Sequence, residues 1–339
     1  MTLRDIANVV GLSVSAVSMA LQDHPRIGEE AKSRVRAAAD DLGYVANSAG
    51  RALRARKAGA LALVVPNTSR HVFGHSYFMH VLTGVTDVAN ENDCQVIIST
   101  NPDDNHDRVA YERVMRSGSV DGAIVTSASV HDDNIERLVR SGLRVVLLGR
   151  FPYLPDAISV GVDDRAASKL ATEHLIDSHG RRSLIHVSGP LDHQTAIDRR
   201  DGFVETCAER GVRGIVIEGD FSEESGRVVG SGLLDRRAEF DGLVVANDEM
   251  AFGVMSTLLA GGIDVPREIS IVGFDDFGLS RVTTPSITTV HVPAERMARL
   301  AAQRLLDIVG GTVIPKQEAH AVLPVELVTR ESCGCGAHP

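Results

Sequence analysis

No apolar run in the 339 residues approaches the roughly 18 needed to cross a membrane. The first residues, M-T-L-R-D-I-A-N-V-V, place Asp5 where a secretory leader would be basic and then apolar. A membrane span and a signal peptide are therefore not expected, and the chain reads as cytoplasmic. Cysteine is scarce: Cys94 and Cys207 fall in apparent secondary structure, and Cys333 and Cys335 lie near the end. That usage implies no disulfide framework, and Cys333-Gly-Cys335 reads as a tail rather than a metal site. Also missing are a G-x-S-x-G elbow, a G-x-x-x-x-G-K-[ST] phosphate loop and any His/Cys set with metal-ligand spacing. The expectation is a protein that is not an enzyme and carries no cofactor and no metal.

What is present is ordinary for a folded protein, with 43% hydrophobic and 24% charged residues, in a chain long enough for two or three folding units. The charge is unevenly distributed. The overall balance is −10, yet residues 1–60 carry nine Lys/Arg against six Asp/Glu, a net of +3, which leaves −13 on the rest. A basic head on an acidic body suits a head that meets a polyanion and a body that must not adhere to it.

Within that head, Thr2 begins T-L-R-D, where a side-chain oxygen can cap a helix and Asp5 can answer it. Gly11 breaks this first helix and Ser13 can cap a second, with Ile6, Ala7, Val10, Leu12, Val17 and Leu21 spaced to share a small core. Two helices around a glycine turn are open to a purely structural reading. The exposed positions favour another: Val14, Ser15, Ser18 and Met19 project away from the core set and are slim enough to enter a major groove about 12 Å wide. A third helix from Gly28 to Leu42, with Val35, Ala38, Ala39 and Leu42 inward and Gly43 as its cap, closes a three-helix domain. The segment Y-V-A-N-S-A-G-R-A-L-R-A-R-K follows. Asn47 or Ser48 could cap a helix there, but about two turns containing Gly50 are marginal alone. With Arg51, Arg54, Arg56 and Lys57 around it, DNA phosphates would hold such a helix, and Leu53 is placed as a wedge for a minor-groove step. A plain basic linker would have the same composition.

From Gly59 onward, ten β-branched apolar runs, from A-L-A-L-V-V-P to T-T-V-H-V, alternate with amphipathic segments. This pattern predicts parallel sheet covered by helices on both faces. Ten strands exceed one such sheet at this length, so two doubly wound subdomains are expected, with crossovers at Val160 to Asp164 and at Pro285 to Val292. Ligands in open α/β sheets sit beyond the carboxyl ends of the strands. Those ends carry Asn67, Thr100, Asn101, Thr126, Arg150, Gly189, Asp220, Phe221, Asn247, Asp248, Asp275 and Asp276, a hydrogen-bonding inventory suited to a sugar or other polyol. Asn247 and Asp248 could equally be helix caps. The adjacent pair Asp275-Asp276 must be paired, solvated or bound to something.

The runs T-L-R-D-I-A-N-V-V-G-L-S-V-S-A-V-S-M-A-L and L-G-Y-V-A-N-S-A-G-R-A-L resemble the headpiece and hinge helix of the lactose-repressor (LacI/GalR) family, and the resemblance continues to about residue 330. It implies an α plus α/β fold: a helix-turn-helix headpiece over residues 1–46, a hinge helix and linker over 47–58, and a periplasmic-binding-protein-like core. The core would comprise one subdomain of residues 59–160 and 289–319 and another of 161–288 and 320–331, with 332–339 as a tail. DNA contact is implied for Thr2, Ser13, Val14, Ser15, Ser18, Met19, Asn47 and Leu53. Met19 stands where many members have Arg, and a thioether cannot make the bidentate contact to guanine. Ala46 replaces a frequent Pro ahead of the hinge. For the effector, the patterns R-R-D-G-F, N-D-E-M-A-F-G and V-G-F-D-D imply Arg199, Asn247 and Asp275, and aromatic pocket residues imply Tyr77, Phe78 and Phe221. The stretch N-T-S-R-H-V-F-G-H-S is longer than family usage, so His71 or Phe73 could take that place; a lone histidine such as His71 is otherwise a surface residue.

These readings imply a regulator that binds a palindromic operator as a homodimer, releases it on binding a sugar-like effector, and has no membrane association. A co-repressor mode with a non-sugar metabolite would use the same pocket. A free ligand-binding protein of the periplasm would need a leader and would have no use for residues 1–57. Residues 293–310 read as a strong helix with Met297, Leu300, Ala301, Leu305 and Ile308 along one side, used for core packing and in part for a dimer face.

Overall fold

Gly11, in the left-handed region at φ 70°, lets the chain leave its first helix and begin another at 101° to it. The computed structural model describes residues 1–44, 58–103, 108–130 and 132–336. The chain divides into two units, Met1–Ala58 and Gly59–Pro339. The expected hinge helix, with Asn47 and Leu53, lies outside the described residues.

The first unit holds α1 (Leu3–Val10), α2 (Val14–Leu21) and α3 (Glu29–Asp41). The Asp5 carboxylate accepts from the Thr2 amide at 2.8 Å and the Thr2 hydroxyl at 3.0 Å. Ser13 Oγ caps α2 by accepting from the Ala16 amide at 3.1 Å. Ile6, Ala7, Val10, Val17, Ala20, Val35, Ala38 and Ala39 form the buried core, with Leu12, Leu21 and Leu42 only partly covered at its edge. Lys32 is buried and bridges Asp23 at 2.9 Å and Glu29 at 2.7 Å, tying α3 to the turn after α2.

The second unit begins with β1 (Ala60–Thr68), α4 (Ser69–Gly74), α5 (Ser76–Glu91), β2 (Gln95–Asn101), α6 (Val109–Ser117), β3 (Gly122–Thr126), α7 (Asp133–Arg140), β4 (Arg144–Leu148) and β5 (Ser159–Val162). It continues with α8 (Asp164–Glu173), β6 (Ser183–Ser188), α9 (Gln194–Arg210), β7 (Arg213–Glu218), α10 (Glu223–Leu234), β8 (Gly242–Val245) and α11 (Asp248–Ala260). The last elements are β9 (Ser270–Asp275), α12 (Leu279–Val282), β10 (Thr288–His291), α13 (Ala294–Val309), β11 (His320–Leu323) and β12 (Glu326–Val328). Two six-stranded sheets result, in the orders β11-β5-β4-β3-β1-β2 and β12-β10-β9-β8-β6-β7. Their pairings are parallel except β10 with β12. The strand order reverses at β1 in one sheet and β6 in the other, the position where a doubly wound sheet opens a crevice at its carboxyl edge.

All ten expected strands form, and two short ones were not anticipated. Residues 320–331, expected in the second subdomain, divide at Pro324: His320–Leu323 pairs in parallel with β5 of the first sheet, and Glu326–Val328 pairs with β10 of the second. Proline lacks the amide a continuing strand would donate, so each fragment closes a different edge. Thr288–His291 pairs with β9, so the return to the first subdomain comes after residue 291 rather than at 289. The expected tail is also firmly placed at its start, because Ser332 and Cys333 are buried and Ser332 exchanges hydrogen bonds with the Ile271 backbone. On α13, Met297, Ala301, Leu305 and Ile308 are buried and Leu300 partly so, with α5 packed so closely that a Cβ at Gly84 would lie 2.3 Å from the Glu295 carbonyl.

Candidate functional site

In the first unit the surface of α2 is narrower than its sequence suggests. Ser13, Val14 and Ser15 are exposed, Met19 is half-buried, and Ser18 is buried at 8% exposure. The expected projection of Ser18 is therefore corrected. An eight-residue helix wedged against both α1 and α3 is covered over most of its second half, so only its first turn and Met19 remain to face a groove. The Thr2 hydroxyl donates to Asp5 and Ser13 Oγ accepts from the Ala16 amide, and Arg4 and Arg26 are exposed cations on the same unit.

In the second unit a cavity of about 970 Å³, part of it open to solvent, lies between the two sheets at their carboxyl edges. Tyr77, Phe78, Arg199, Phe221, Asn247 and Asp275 all line it. Of the other strand-end residues, Thr126 and Arg150 line it as well. Asn67, Thr100, Asn101, Gly189, Asp220, Asp248 and Asp276 do not, and several are engaged locally. Asn101 accepts from the Ala110 amide, Asp220 from that of Ser222 and Asp248 from that of Asp276. Gly189 shapes the wall indirectly, since a Cβ there would lie 2.1 Å from the Phe221 ring.

Arg199 organises one end. It is buried on α9, donates Nε to Asp164 Oδ1 at 2.8 Å and Nη1 to the Ala246 carbonyl, and lies 4.4 Å from the Phe274 ring centroid. Asp275 Oδ1 stands 3.7 Å from the same guanidinium. Burial pushes the Asp275 carboxyl up to about 7, an effect the Arg199 charge only partly offsets. Among the described residues its carboxylate accepts no hydrogen bond, which leaves acceptor capacity directed at the cavity. Burial likewise raises the Tyr77 phenol to about 12, with its hydroxyl 3.3 Å from Thr126 Oγ1.

The adjacent acids have separate duties. Asp276 is bonded by Ser280 at 3.0 Å, Arg281 at 3.0 Å and Arg330 at 2.6 Å; burial works to raise it, but these donors prevail and hold it below the usual carboxylate range. Asp275, by contrast, sits at φ 107°, and Phe221 at φ 69° and Ser127 at φ 54° are two more cavity residues in a region that side chains rarely adopt. Backbone strain of about 1–3 kcal/mol each, concentrated at one cavity, is usual for a binding site. Asn247 is the helix cap that its sequence allowed: Oδ1 accepts from the Met250 amide at 3.0 Å and Nδ2 donates to the Phe221 carbonyl at 2.8 Å. One amide hydrogen and one lone pair remain for a ligand.

Among the cavity groups, His75 and Glu249 were not foreseen. His75 Nδ1 lies 2.6 Å from Glu249 Oε2, and Ser76 donates its amide at 2.9 Å and its hydroxyl at 2.8 Å to Oε1, so the start of α5 is latched to α11 across the two subdomains. Arg150 reaches Asp198 at 3.0 Å, and the Val130 amide reaches the Asp192 carbonyl at 2.6 Å, both spanning the same divide. His80 stacks on Phe277 with centroids 4.6 Å apart. His71 is not a surface residue: it lines the cavity, and burial, with His75 and His193 nearby, lowers it to about 4, so the ring is neutral. Phe73 points outward at 58% exposure. These pairings join residues 48 to 197 positions apart and leave no local pattern, although His71, His75 and Ser76 all fall in the stretch that is longer than family usage.

The model of bacterial regulatory proteins of the lacI family matches residues 2–47, and that of the periplasmic binding protein-like domain matches residues 172–333. The chain is 30% identical to the HTH-type transcriptional regulator GalR of Escherichia coli K12 over 335 residues, covering 98% of this chain and 95% of that one. Among solved structures it is similar to a complex of the transcriptional regulator CelR with cellobiose, at 27% identity and TM-score 0.74, covering 98% and 99% of the two chains. It also shares its fold with the Lac repressor dimer bound to operator and the anti-inducer ONPF, at 22% identity and TM-score 0.87, with the same coverage.

Proposed function

Since the chain belongs to the lacI family of bacterial regulatory proteins and is a DNA-binding transcriptional regulator, we propose that it is a cytoplasmic, homodimeric repressor released from a palindromic operator by a sugar. The observation that carries the ligand reading is the pairing of Arg199 with Asp275 beside Tyr77, Phe78 and Phe221. A guanidinium and an unsatisfied carboxylate can take hydroxyls as acceptor and donor, while aromatic faces cover the apolar side of a sugar ring. The similar regulator CelR, whose structure is a complex with cellobiose, supports this ligand class.

Val14, Ser15 and Met19 meet base edges in the major groove, Thr2, Ser13 and Ser18 hold the helices in register, and Asn47 and Leu53 belong to a hinge that folds against the minor groove. Because this reading surface has few bidentate donors, shape, hinge insertion and phosphate contacts carry much of the specificity. Effector works by changing the closure of the two subdomains, through the His75–Glu249 and Arg150–Asp198 latches, and so the spacing of the paired hinges. Gel-shift titration on fragments of the upstream region of its own gene, with and without a panel of mono- and disaccharides, tests this. Retardation relieved by one sugar is expected; no retardation at low salt would refute operator binding, and retardation strengthened by a metabolite would favour a co-repressor.

A further inference from the structure

Four chelating side chains from two distant parts of the chain converge on one point of the second subdomain, away from the cavity. His174 opens a π turn (His174–Ser178) that extends α8, and His179 follows it. Cys333 and Cys335 belong to the segment after β12. His174 Nε2 lies 3.2 Å from His179 Nε2, 3.3 Å from Cys333 Sγ and 3.6 Å from Cys335 Sγ, and Cys335 Sγ lies 3.4 Å from His179 Nε2. All four ligand atoms fall within 4.8 Å of one another.

We infer that His174, His179, Cys333 and Cys335 bind one Zn²⁺ ion, which fastens the C-terminal segment to the end of α8. Bond lengths of about 2.05 Å to nitrogen and 2.3 Å to sulfur require tetrahedral edges of about 3.3 Å between two nitrogens and about 3.6 Å between nitrogen and sulfur. The separations above follow that pattern. Hydrogen bonding alone accounts for it poorly, because His174 Nε2 offers either one proton or one lone pair and has three close partners. A central cation satisfies all four at once. Four protein ligands leave no open position, so the site is structural rather than catalytic.

Both halves of the site are held by the fold. In an ordinary helix, residues five apart diverge; the i→i+5 repeat of the π turn brings His174 and His179 to one side. On the other half, Ser332 is fixed between β9 and β10, accepting from the Thr288 amide at 2.9 Å and donating to the Ile271 carbonyl at 2.7 Å. The Arg330 amide donates to Thr288 Oγ1 at 2.8 Å, which directs the hydroxyl proton of Thr288 to Cys333 Sγ at 3.0 Å, the outer-sphere donor that a zinc-bound thiolate needs. Gly334, at φ 112°, allows the tight C-x-C turn and packs against the His179 ring without a side chain.

The test uses the full-length protein, purified with zinc in the medium and dialysed into metal-free buffer. Elemental analysis should find about one zinc per chain, and replacement by Co²⁺ should give the intense visible bands of tetrahedral cobalt with a thiolate-to-metal charge-transfer band. Cys335 is exposed, so Cys335→Ser should fold and bind DNA yet hold Co²⁺ at least tenfold more weakly, and chelator should lower the melting midpoint of the parent but not of the variant. Substoichiometric zinc with no cobalt spectrum would overturn the proposal. So would a Cys333–Cys335 disulfide that, once reduced, takes up no metal.

Discussion

Replacing Asp275 by Asn should stabilise the core while abolishing its response to sugar. In the folded protein burial holds this carboxyl at about 7, against about 3.9 in an unfolded chain. The native state therefore binds more protons than the unfolded state between those values, so the raised acid lowers stability as pH rises through that window, and the whole penalty is present above about pH 7. Three units correspond to about 4 kcal/mol, an upper bound because the Asn amide must find its own partners and Arg199 loses a nearby carboxylate. Asparagine is isosteric and tolerates the φ of 107° at least as well. A net gain of about 2 kcal/mol corresponds to a rise of roughly 5 °C in melting midpoint for a core of this size. Thermal melts across a pH series should show the difference shifting in the variant's favour between about pH 4, where the variant is no more stable than the parent, and about pH 7.5, where it is more stable. A variant less stable than the parent at the upper end, or a gap that ignores pH, would refute the placement of an uncompensated acid in this cavity.

A sugar hydroxyl that donates to Asp275 favours its ionised form, so effector affinity should rise with pH through about 7 and binding below it should release a proton; titration calorimetry in buffers of different ionisation enthalpy checks this, and pH-independent affinity would contradict it. Glu249→Gln keeps the size of the latch to His75 and Ser76 but weakens its charge-assisted bonds, so small-angle scattering of the free protein should report a more open core and a shifted sugar affinity. Leu53→Ala should weaken operator binding severalfold in gel shifts and leave the sugar affinity of the free protein unchanged. Met19→Arg should gain about 1–3 kcal/mol of discrimination at one guanine position in a selection from randomised operators, and an unchanged consensus would show that residue 19 does not face a base.

Strongly periodic features were legible in the sequence. The glycine turn with its Ser13 cap and the ten apolar runs point to the headpiece and the two sheets, and the rule that ligands meet the carboxyl ends of parallel strands points to Phe221, Asn247 and Asp275, whereas Tyr77, Phe78 and Arg199 are implied only by the family resemblance. What escaped depends on packing between distant segments. Burial of Ser18 is set by two neighbouring helices; the division of residues 320–331 depends on which sheet has a free edge; the latch to Glu249 joins helices far apart in the chain. The His/Cys cluster escaped for two reasons: its ligand pairs lie in distant segments, and its His-x₄-His spacing faces one way only in a π turn. Tyr77 and Phe78 reach the cavity although the loop before them is long, because its extra residues fold into α4 with Val72 buried beneath.

The central claim is that cavity occupancy and operator binding are coupled, and coupling of binding free energies is reciprocal. The deciding measurement is sugar affinity by titration calorimetry on the full-length protein, free and saturated with operator duplex, set beside operator affinity with and without saturating sugar. The expected result is that operator weakens sugar binding by the same factor, roughly 5–150-fold, by which sugar weakens operator binding. Sugar affinity that is identical in the free and operator-bound protein, with operator affinity indifferent to sugar, would contradict the account.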